Sequence, residues 1–318
     1  MRRSLRWDAR PWLGVLLSGL ISGCSTLGIT PKLPPPPADI PPLVELTETP
    51  FFPQEQYHCG PAALATLLQH RQIDATPEDL SRLAYLPGRK GSLQIELAAT
   101  ARQQSVLVYP LDGSLNSLLR EVAADNPVLI LQNQAFSWYP RWHYAVVIGY
   151  DLKRELLILR SGRERRWITD FGTFMNTWNR AGNWAIVTLP PGILPAKALP
   201  STYLSAANDL EQTGQQRAAH LAYRAAVETW PSDVTAWLAL GNSAYADGQW
   251  SEAITAFRKA THLEPANTTA WNNLAYALME DGQGQAALTA LRHALELSPE
   301  NANLLDSQRE IKQRLEME

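Results

Sequence analysis

One cysteine lies where a thiol nucleophile would be expected. Cys59 falls in the segment QEQYHCGP, residues 54–61, directly before an apolar pattern that predicts a helix over residues 60–70. The unpaired amides and the dipole of a helix N-terminus favour a negative charge, so they favour a thiolate there. We therefore expect a lowered pKa for the Cys59 thiol and a nucleophilic sulfur at neutral pH.

A nucleophilic thiol needs a base, and His143 is the candidate. It opens the apolar strand HYAVVIGYD, residues 143–151. A single cysteine with a histidine far away in sequence is the arrangement expected of a cysteine hydrolase. Taken alone, His143 is better interpreted as a core or edge histidine. Together with Cys59, we interpret it as the general base.

Other side chains near these two leave more than one interpretation open. His58 either tunes the thiolate or is an exposed loop histidine. Four aromatic residues either line a peptide-binding groove or simply pack and anchor loops: Trp138, Tyr139, Trp142 and Trp167. The sequence contains no HExxH or CxxC ligand spacing and no glycine-rich phosphate loop. We therefore predict no metal and no cofactor.

The N-terminus has the pattern of a targeting segment. Four arginines within residues 1–10 precede a short apolar run and the sequence ISGC, which ends at Cys24. Such a charged, apolar and small-residue order is typical of a secretory signal. The position of Cys24 resembles the lipobox of bacterial lipoproteins. That resemblance implies a signal peptide over residues 1–23 and lipid attachment at Cys24.

The residues after Cys24 indicate where the protein would lie and how it would be tethered. By the same resemblance, Ser25 in place of aspartate implies a periplasm-facing, lipid-anchored protein of the outer membrane. A lipid chain anchors a protein at the membrane interface without spanning the bilayer. Seven prolines between residues 31 and 42 predict an extended tether over residues 24–48, without helix or strand.

The middle of the chain, residues 49–192, has the pattern of an α+β domain. Helices are predicted first, with starts near Gly60, Thr76, Ser92 and Ser114. Strands are predicted over 128–132, 143–150, 156–160 and 184–189, with a further helix after Thr169 or Asp170. Helices followed by strands favour helices packed on an antiparallel sheet.

This domain resembles the bacteriocin-leader-processing cysteine peptidases and their stand-alone relatives. The resemblance is carried by QEQYHCGPAAL at 54–64 and by HYAVVIGYD at 143–151. It implies a papain-like fold in which Cys59 is the nucleophile and His143 is the general base and then the acid. It also implies that Gln54 and the Cys59 amide stabilise the oxyanion. Gln56 is a weaker candidate than Gln54.

The third member of the expected catalytic set departs from that family. The family places aspartate or asparagine about 16–18 residues after the histidine, where it orients the imidazole. This chain has LRSG at 159–162, which leaves Ser161 as a weak candidate. Asp151 and Asp170 are alternatives, although each is better interpreted as a turn or helix-cap residue. Activity is therefore expected to be weak or to rest on a dyad.

A 34-residue period fills the C-terminal part of the chain. Equivalent positions include Tyr203, Trp237 and Trp271, then Gly214, Gly248 and Gly282, then Pro231, Pro265 and Pro299. The pattern resembles tetratricopeptide repeats over 201–234, 235–268 and 269–302, with a capping helix to 318 and a linker over 193–200. Such stacks present a concave face for a peptide or protein partner. Candidate partner-binding residues are Asn242, Asn273 and Arg258.

Composition narrows the function further. The net charge of −3 gives no basic excess for nucleic acid, and two cysteines do not make a disulfide scaffold. We therefore predict a cysteine peptidase that acts on peptides or proteins of the bacterial envelope and recruits a protein partner through its repeats. The alternative is a degenerate peptidase fold that serves as a binding or scaffold lipoprotein.

Overall fold

A computed structural model describes residues 35–53, 59–89 and 91–317. The described residues from Pro36 onward form one compact unit. Among the helices of these described ranges, none is long and apolar enough to span a membrane. Some predictions concern residues outside the described ranges: the signal peptide, and Cys24, Gln54, Gln56 and His58.

Three of the five helices of the first domain begin after a residue whose side chain caps the helix. Thr76, Ser114 and Asp170 each accept a hydrogen bond from the amide three residues later, which satisfies an otherwise free donor of the first turn. The helices are α1 Cys59–His70, α2 Pro77–Ala84, α3 Gln94–Arg102, α4 Leu115–Ala123 and α5 Phe171–Asn179.

Seven strands form one antiparallel sheet in this domain. They are β1 Leu43–Glu45, β2 Leu107–Pro110, β3 Val128–Asn133, β4 Trp142–Asp151, β5 Leu156–Ser161, β6 Glu164–Asp170 and β7 Ala185–Leu189. The order is β2-β7-β3-β4-β5-β6, and β1 pairs with the end of β4. Helices packed on an antiparallel sheet confirm the predicted α+β class.

The position of α1 on the sheet determines which side chains of β4 face it. Leu64 and Leu68 of α1 belong to the same core cluster as Tyr144, Val146 and Ile148 of β4. Side chains alternate between the two faces of a strand. His143 therefore projects from the face of β4 opposite to the one that packs on α1.

The predicted tether is too long at its C-terminal end. We expected no strand before residue 49, but Leu43–Glu45 pair with Gly149–Asp151 as β1. Gly149 makes this pairing possible, because a Cβ there would lie 2.6 Å from the carbonyl oxygen of Val44. An ion pair between Arg166 and Glu45 at 2.7 Å also holds this segment on the domain.

Seven helices follow, arranged as three pairs and a final helix. They are α6 Pro200–Gln212, α7 Gln216–Thr229, α8 Val234–Ala246, α9 Trp250–Leu263, α10 Thr268–Glu280, α11 Gly284–Leu297 and α12 Ala302–Met317. The loop inside each pair contains a glycine with positive φ, at positions 214, 248 and 282. This helical stretch confirms the predicted all-α repeat architecture.

The first repeat packs directly on the α+β domain. Arg102 of α3 pairs with Asp209 of α6 at 2.5 Å. The carboxylate of Glu121, which is almost completely buried, accepts a hydrogen bond from the Ala196 amide at 2.9 Å. The linker is thus bonded to the α+β domain rather than free of it.

Candidate active site

Cys59 is the first residue of α1 and is a free, partly buried thiol. The amides of Tyr144, Gly60 and Cys59 itself favour the thiolate, as expected at a helix N-terminus, but burial outweighs them and raises the pKa of the thiol. The expected lowering of this pKa is therefore wrong, because removing the anion from water costs more than the amides return.

Because Gly60 has no side chain, the Ser92 hydroxyl can pack against the start of α1. A Cβ on Gly60 would lie 3.0 Å from both the Cβ and the Oγ of Ser92. The Ser92 hydroxyl is buried and has no hydrogen-bond partner among the described residues. The main-chain carbonyl oxygen of Ser92 accepts a hydrogen bond from the Tyr144 hydroxyl at 3.1 Å. From the sequence, Ser92 could be interpreted only as a helix start. Its contact with Gly60 joins residues that are distant in sequence, and no local pattern indicates it.

His143 lies next to the residue whose amide faces the thiol, and its ring is held by Ser161. The Nε2 atom lies 2.9 Å from the Ser161 Oγ. Burial, together with the charge of Arg141, lowers the pKa of His143 to about 4. At neutral pH the imidazole is therefore uncharged. Ser161, the weak third candidate, is thus the side chain in contact with the ring.

Gln132 is a neighbour of His143 that the sequence analysis did not single out. The two residues are directly opposite each other on β3 and β4. The Gln132 amide donates to the Thr177 hydroxyl at 2.6 Å, which ties β3 to α5. Cross-strand partners have their Cβ atoms about 5 Å apart, so Gln132 borders the histidine. Sequence alone gives no register between strands, and therefore no signal for this pair.

The two aspartates considered as substitutes for the third member have other roles. Asp151 accepts hydrogen bonds from the amides of Lys153 and Arg154 in the β4–β5 turn. Asp170 caps α5 by accepting from the Thr173 amide at 2.8 Å. Both fit the turn and cap interpretations. Across the described ranges, no group of three or more His, Cys, Asp or Glu side chains is arranged to hold a metal ion.

Arg160 links the strand of Ser161 to the segment that leads toward Cys59. Its guanidinium is buried and donates to the carbonyl oxygens of Thr47 at 3.1 Å, of Thr49 at 2.8 Å and of Arg165 at 2.5 Å. The Thr49 hydroxyl in turn contacts the Nδ1 of His70, the last residue of α1, at 3.2 Å. One side chain therefore joins β5, β6 and the N-terminal segment.

Of the four aromatic residues interpreted either as a peptide-binding groove or as packing and loop anchors, three are largely exposed. Trp138 is 81% exposed, Tyr139 71% and Trp142 53%. Trp167 lies elsewhere, on β6, opposite Leu159 of β5. Trp138 and Tyr139 belong to the loop between β3 and β4, and Trp142 is the first residue of β4, so the chain order places all three near His143.

Two of the three candidate partner-binding residues share a cavity in the repeats. The cavity has a volume of about 310 Å³ and is lined by Asn242, Tyr245, Phe257, Asn273 and Tyr276. The Asn273 amide donates to the Asn242 side-chain oxygen at 2.9 Å. Arg258 is exposed on α9 and is not one of the lining residues.

Comparison with protein families assigns both parts of the chain. Residues 39–186 match the Peptidase_C39 like family. Residues 204–260 and 238–302 match the tetratricopeptide repeat. A search of curated proteins found none that matches.

Solved structures resemble the two parts separately. A protein from Bacillus anthracis described as a C39-like peptidase is 19% identical, with a TM-score of 0.40, covering 46% of this chain and 97% of that one. The first repeat domain of Spaghetti (RPAP3), bound to an HSP90 peptide, is 18% identical, with a TM-score of 0.35, covering 36% and 92%. The Yersinia enterocolitica chaperone SycD with a YopD peptide is 21% identical, with a TM-score of 0.34, covering 36% and 92%.

The family matches agree with the element order, since the sheet domain comes first and the helix pairs follow. The chain therefore carries a domain of the C39-like peptidase family followed by tetratricopeptide repeats.

Proposed function

We propose that this protein is a cysteine peptidase in which Cys59 attacks a peptide carbonyl and His143 moves the proton. The observation that carries the proposal is the 2.9 Å contact between the His143 Nε2 and the Ser161 Oγ. It fixes the ring on β4, one residue from the amide that favours the Cys59 thiolate. The Cys59 thiol reaches the start of β4 from the side of α1, whereas the His143 ring lies on the opposite face of the strand, so proton transfer requires the two groups to meet around this end of β4.

The electrostatics support a neutral resting pair. Burial raises the pKa of the thiol, and the pKa of His143 lies near 4. When Nε2–H donates to Ser161, Nδ1 carries the lone pair and accepts the thiol proton as Sγ attacks the carbonyl carbon. The imidazolium returns this proton to the leaving amine when the C–N bond breaks. Water then attacks the thioester, gives a proton to Nδ1 and releases the acid, and Sγ regains its proton.

Oxyanion stabilisation would come from the start of α1. The Cys59 amide belongs to the first turn, where main-chain donors have no partner inside the helix. Gln54 is the proposed second donor, by resemblance to the family motif. Such donors matter most in a site with little water, because charge interactions are stronger there.

The repeats have a known general role and a proposed specific one. Tetratricopeptide repeats mediate protein–protein interaction, and we propose that the cavity at Asn242 and Asn273 binds an extended segment of a partner. The two asparagines supply amide donors and acceptors suited to a peptide main chain. Arg258 stays a proposed contact for a partner that also covers α9.

We also propose a lipid anchor at Cys24 and a position in the bacterial envelope. The targeting pattern of residues 1–24 supports this location. Asp39 pairs with Arg120 of α4 at 2.6 Å, so the chain is already held on the domain before β1 begins, and the proposed tether ends before Asp39.

Cleavage of a peptide mixture tests the proposal without knowledge of the substrate. Purified full-length protein would be incubated with a tryptic digest of a bacterial envelope fraction, and new peptide termini would be counted by mass spectrometry. We expect termini that Cys59→Ala and His143→Ala both abolish, while the remote Leu305→Ala on α12 leaves them. Equal numbers of new peptide termini with the unmodified protein and with Cys59→Ala would refute the peptidase proposal.

The second candidate is a scaffold that binds peptides without cleaving them. The neutral Ser161 in place of a carboxylate favours it, because a hydroxyl stabilises an imidazolium less than a charge does. In this case Cys59→Ala would leave the cellular phenotype intact, whereas Asn242→Ala with Asn273→Ala would abolish it. The opposite result would reject the scaffold.

A further inference from the structure

The loop between β3 and β4 has a fixed shape. We call this loop, together with Trp142 at the start of β4, the aromatic loop (residues 134–142). Its Gln134 amide donates to the Arg141 carbonyl oxygen at 2.9 Å, and its Tyr139 amide donates to the Phe136 carbonyl oxygen at 3.2 Å. From β3, the Asn133 side chain accepts from the amides of Ala135 and Arg141, each at 3.0 Å. Two main-chain bonds and the Asn133 side chain therefore set the shape of the loop before any ligand binds.

The rings of this loop form one apolar surface. Phe136 and Trp138 are stacked with centroids 5.5 Å apart and an interplanar angle of 10°. Trp138 and Tyr139 have centroids 6.1 Å apart. All three rings, and Trp142, are largely exposed. A contiguous exposed apolar patch on a rigid loop is typical of a binding surface.

The patch begins at the proposed catalytic residues. Trp142 directly precedes His143 and shares the face of β4 on which Tyr144 packs toward α1. The Tyr144 amide favours the thiolate of Cys59. A peptide with its scissile bond at Cys59 would therefore extend its neighbouring residues over the aromatic loop.

The charge of the loop favours a peptide that carries a carboxylate. Arg141 is the one charged residue of the sequence QAFSWYPRW at 134–142. A lone arginine suits one carboxylate, whereas segments that bind anionic lipids carry about four to eight basic residues. The proposed tether also joins the sheet at the other end of β4, where β1 pairs with Gly149–Asp151. Both observations favour a peptide over a bilayer.

We propose that the aromatic loop selects the substrate, by holding an aromatic or branched apolar side chain on Trp138 and Tyr139 and an acidic side chain at Arg141. This inference rests on the proposed peptidase function, since it assigns the substrate class of the same site. Rigid aromatic anchors that lose little entropy on binding are the usual centres of peptide and protein recognition.

Selection from a random peptide library tests this assignment. A phage-displayed library of dodecapeptides would be selected on the full chain carrying Cys59→Ala, which binds without cleaving. We expect enrichment of sequences that combine Trp, Phe, Tyr or Leu with Asp or Glu. The most enriched synthetic peptide should bind Trp138→Ala/Tyr139→Ala about tenfold more weakly or worse. Arg141→Ala should lose only the acidic preference.

A remote control and two contrary outcomes complete the test. Leu305→Ala, which removes a partly exposed side chain on α12, should leave peptide binding unchanged. Equal peptide binding by the double variant, measured on protein with unchanged thermal unfolding, would overturn the inference. The inference would also be overturned if no peptides were enriched and the chain instead bound phosphatidylglycerol vesicles through Trp138 and Tyr139. If the selected peptides bind through the loop but are not cleaved by the unmodified protein, the peptidase proposal is refuted. The proposed binding surface would still be supported.

Discussion

The imidazole Nε2 of His143 lies 2.9 Å from the hydroxyl of Ser161, eighteen residues further along the chain on β5. A serine in this position orients the ring without adding charge. The imidazolium that forms during proton transfer would therefore meet a neutral acceptor in a buried site. The contact orients the ring of His143 but supplies no charge to stabilise its protonated form.

Substitution of Ser161 should separate orientation from charge. Ser161→Ala removes a hydrogen bond of about 1 kcal/mol, so cleavage should fall about fivefold. Ser161→Asp places a carboxylate beside the ring, which raises the pKa of His143 and should increase cleavage at neutral pH. Ser161→Asn is the matched uncharged control. Cleavage by Ser161→Asp no faster than by Ser161→Asn would show that charge at this position does not matter.

The pH profile of cleavage should be flat through the neutral range. His143, with a pKa of about 4, stays an uncharged base down to that pH, and the raised thiol pKa keeps Cys59 protonated. Cleavage should therefore decline only as the pH falls toward about 4. A loss of activity between pH 7 and pH 6 would contradict the neutral pair.

Folding stability should respond to the same titration. The unfolded chain, with a histidine pKa of about 6.5, takes up a proton before the folded state does. The contribution of His143 to stability is therefore lost as the pH falls from about 6.5 to about 4. Urea unfolding at pH 7 and pH 4.5 should show a smaller pH effect for His143→Gln than for the unmodified chain. An equal pH effect in both proteins would mean that folding does not lower the pKa of His143.

Removal of the Arg160 side chain should loosen the segment before Cys59. Arg160→Met leaves the carbonyl oxygens of Thr47 and Thr49 without this donor, at a cost of about 2–4 kcal/mol of unfolding free energy. Arg160→Lys keeps the charge but not the planar fork, so it should rescue only part of this loss. Limited proteolysis should cut first within residues 46–53. Resistance equal to that of the unmodified chain would argue against this anchor.

The pairing of β1 should depend on a glycine far away in sequence. Gly149→Ala would place a Cβ 2.6 Å from the Val44 carbonyl oxygen, so β1 must shift, at a cost of about 1–3 kcal/mol. Gly88→Ala is the control, since no atom lies within 4 Å of its added Cβ. Hydrogen exchange of the β1 amides should accelerate only in Gly149→Ala. Similar exchange in both variants would show that the close approach is not needed.

Sequence patterns anticipated the elements that have strong local signals. The caps at Thr76 and Ser114 marked two helices, and the 34-residue period marked three helix pairs. The strands β1, β2 and β6 were missed. The strand β1 has only three residues and depends on Gly149, and β6 is a largely charged edge strand that the sheet holds through its main chain.

The candidate site was anticipated only where a side chain carries the chemistry. Cys59, His143 and Ser161 could be named from residue type, spacing and family resemblance. The Tyr144 amide could not, because a main-chain donor leaves no trace in the sequence. The direction of the Cys59 pKa shift also required the structure, since the helix N-terminus is visible in the sequence but the depth of burial is not.

The proposed peptidase requires a Cys59 thiol whose reactivity depends on the fold and on His143. An acyloxymethyl ketone probe alkylates catalytic cysteines, and intact-mass spectrometry measures the adduct on Cys59 directly. We expect folded protein to react at pH 7 at least about 100-fold faster than His143→Ala, in line with the contribution of general base catalysis, and faster than the same chain in urea. Equal labelling of the folded chain, His143→Ala and the unfolded chain would contradict the account.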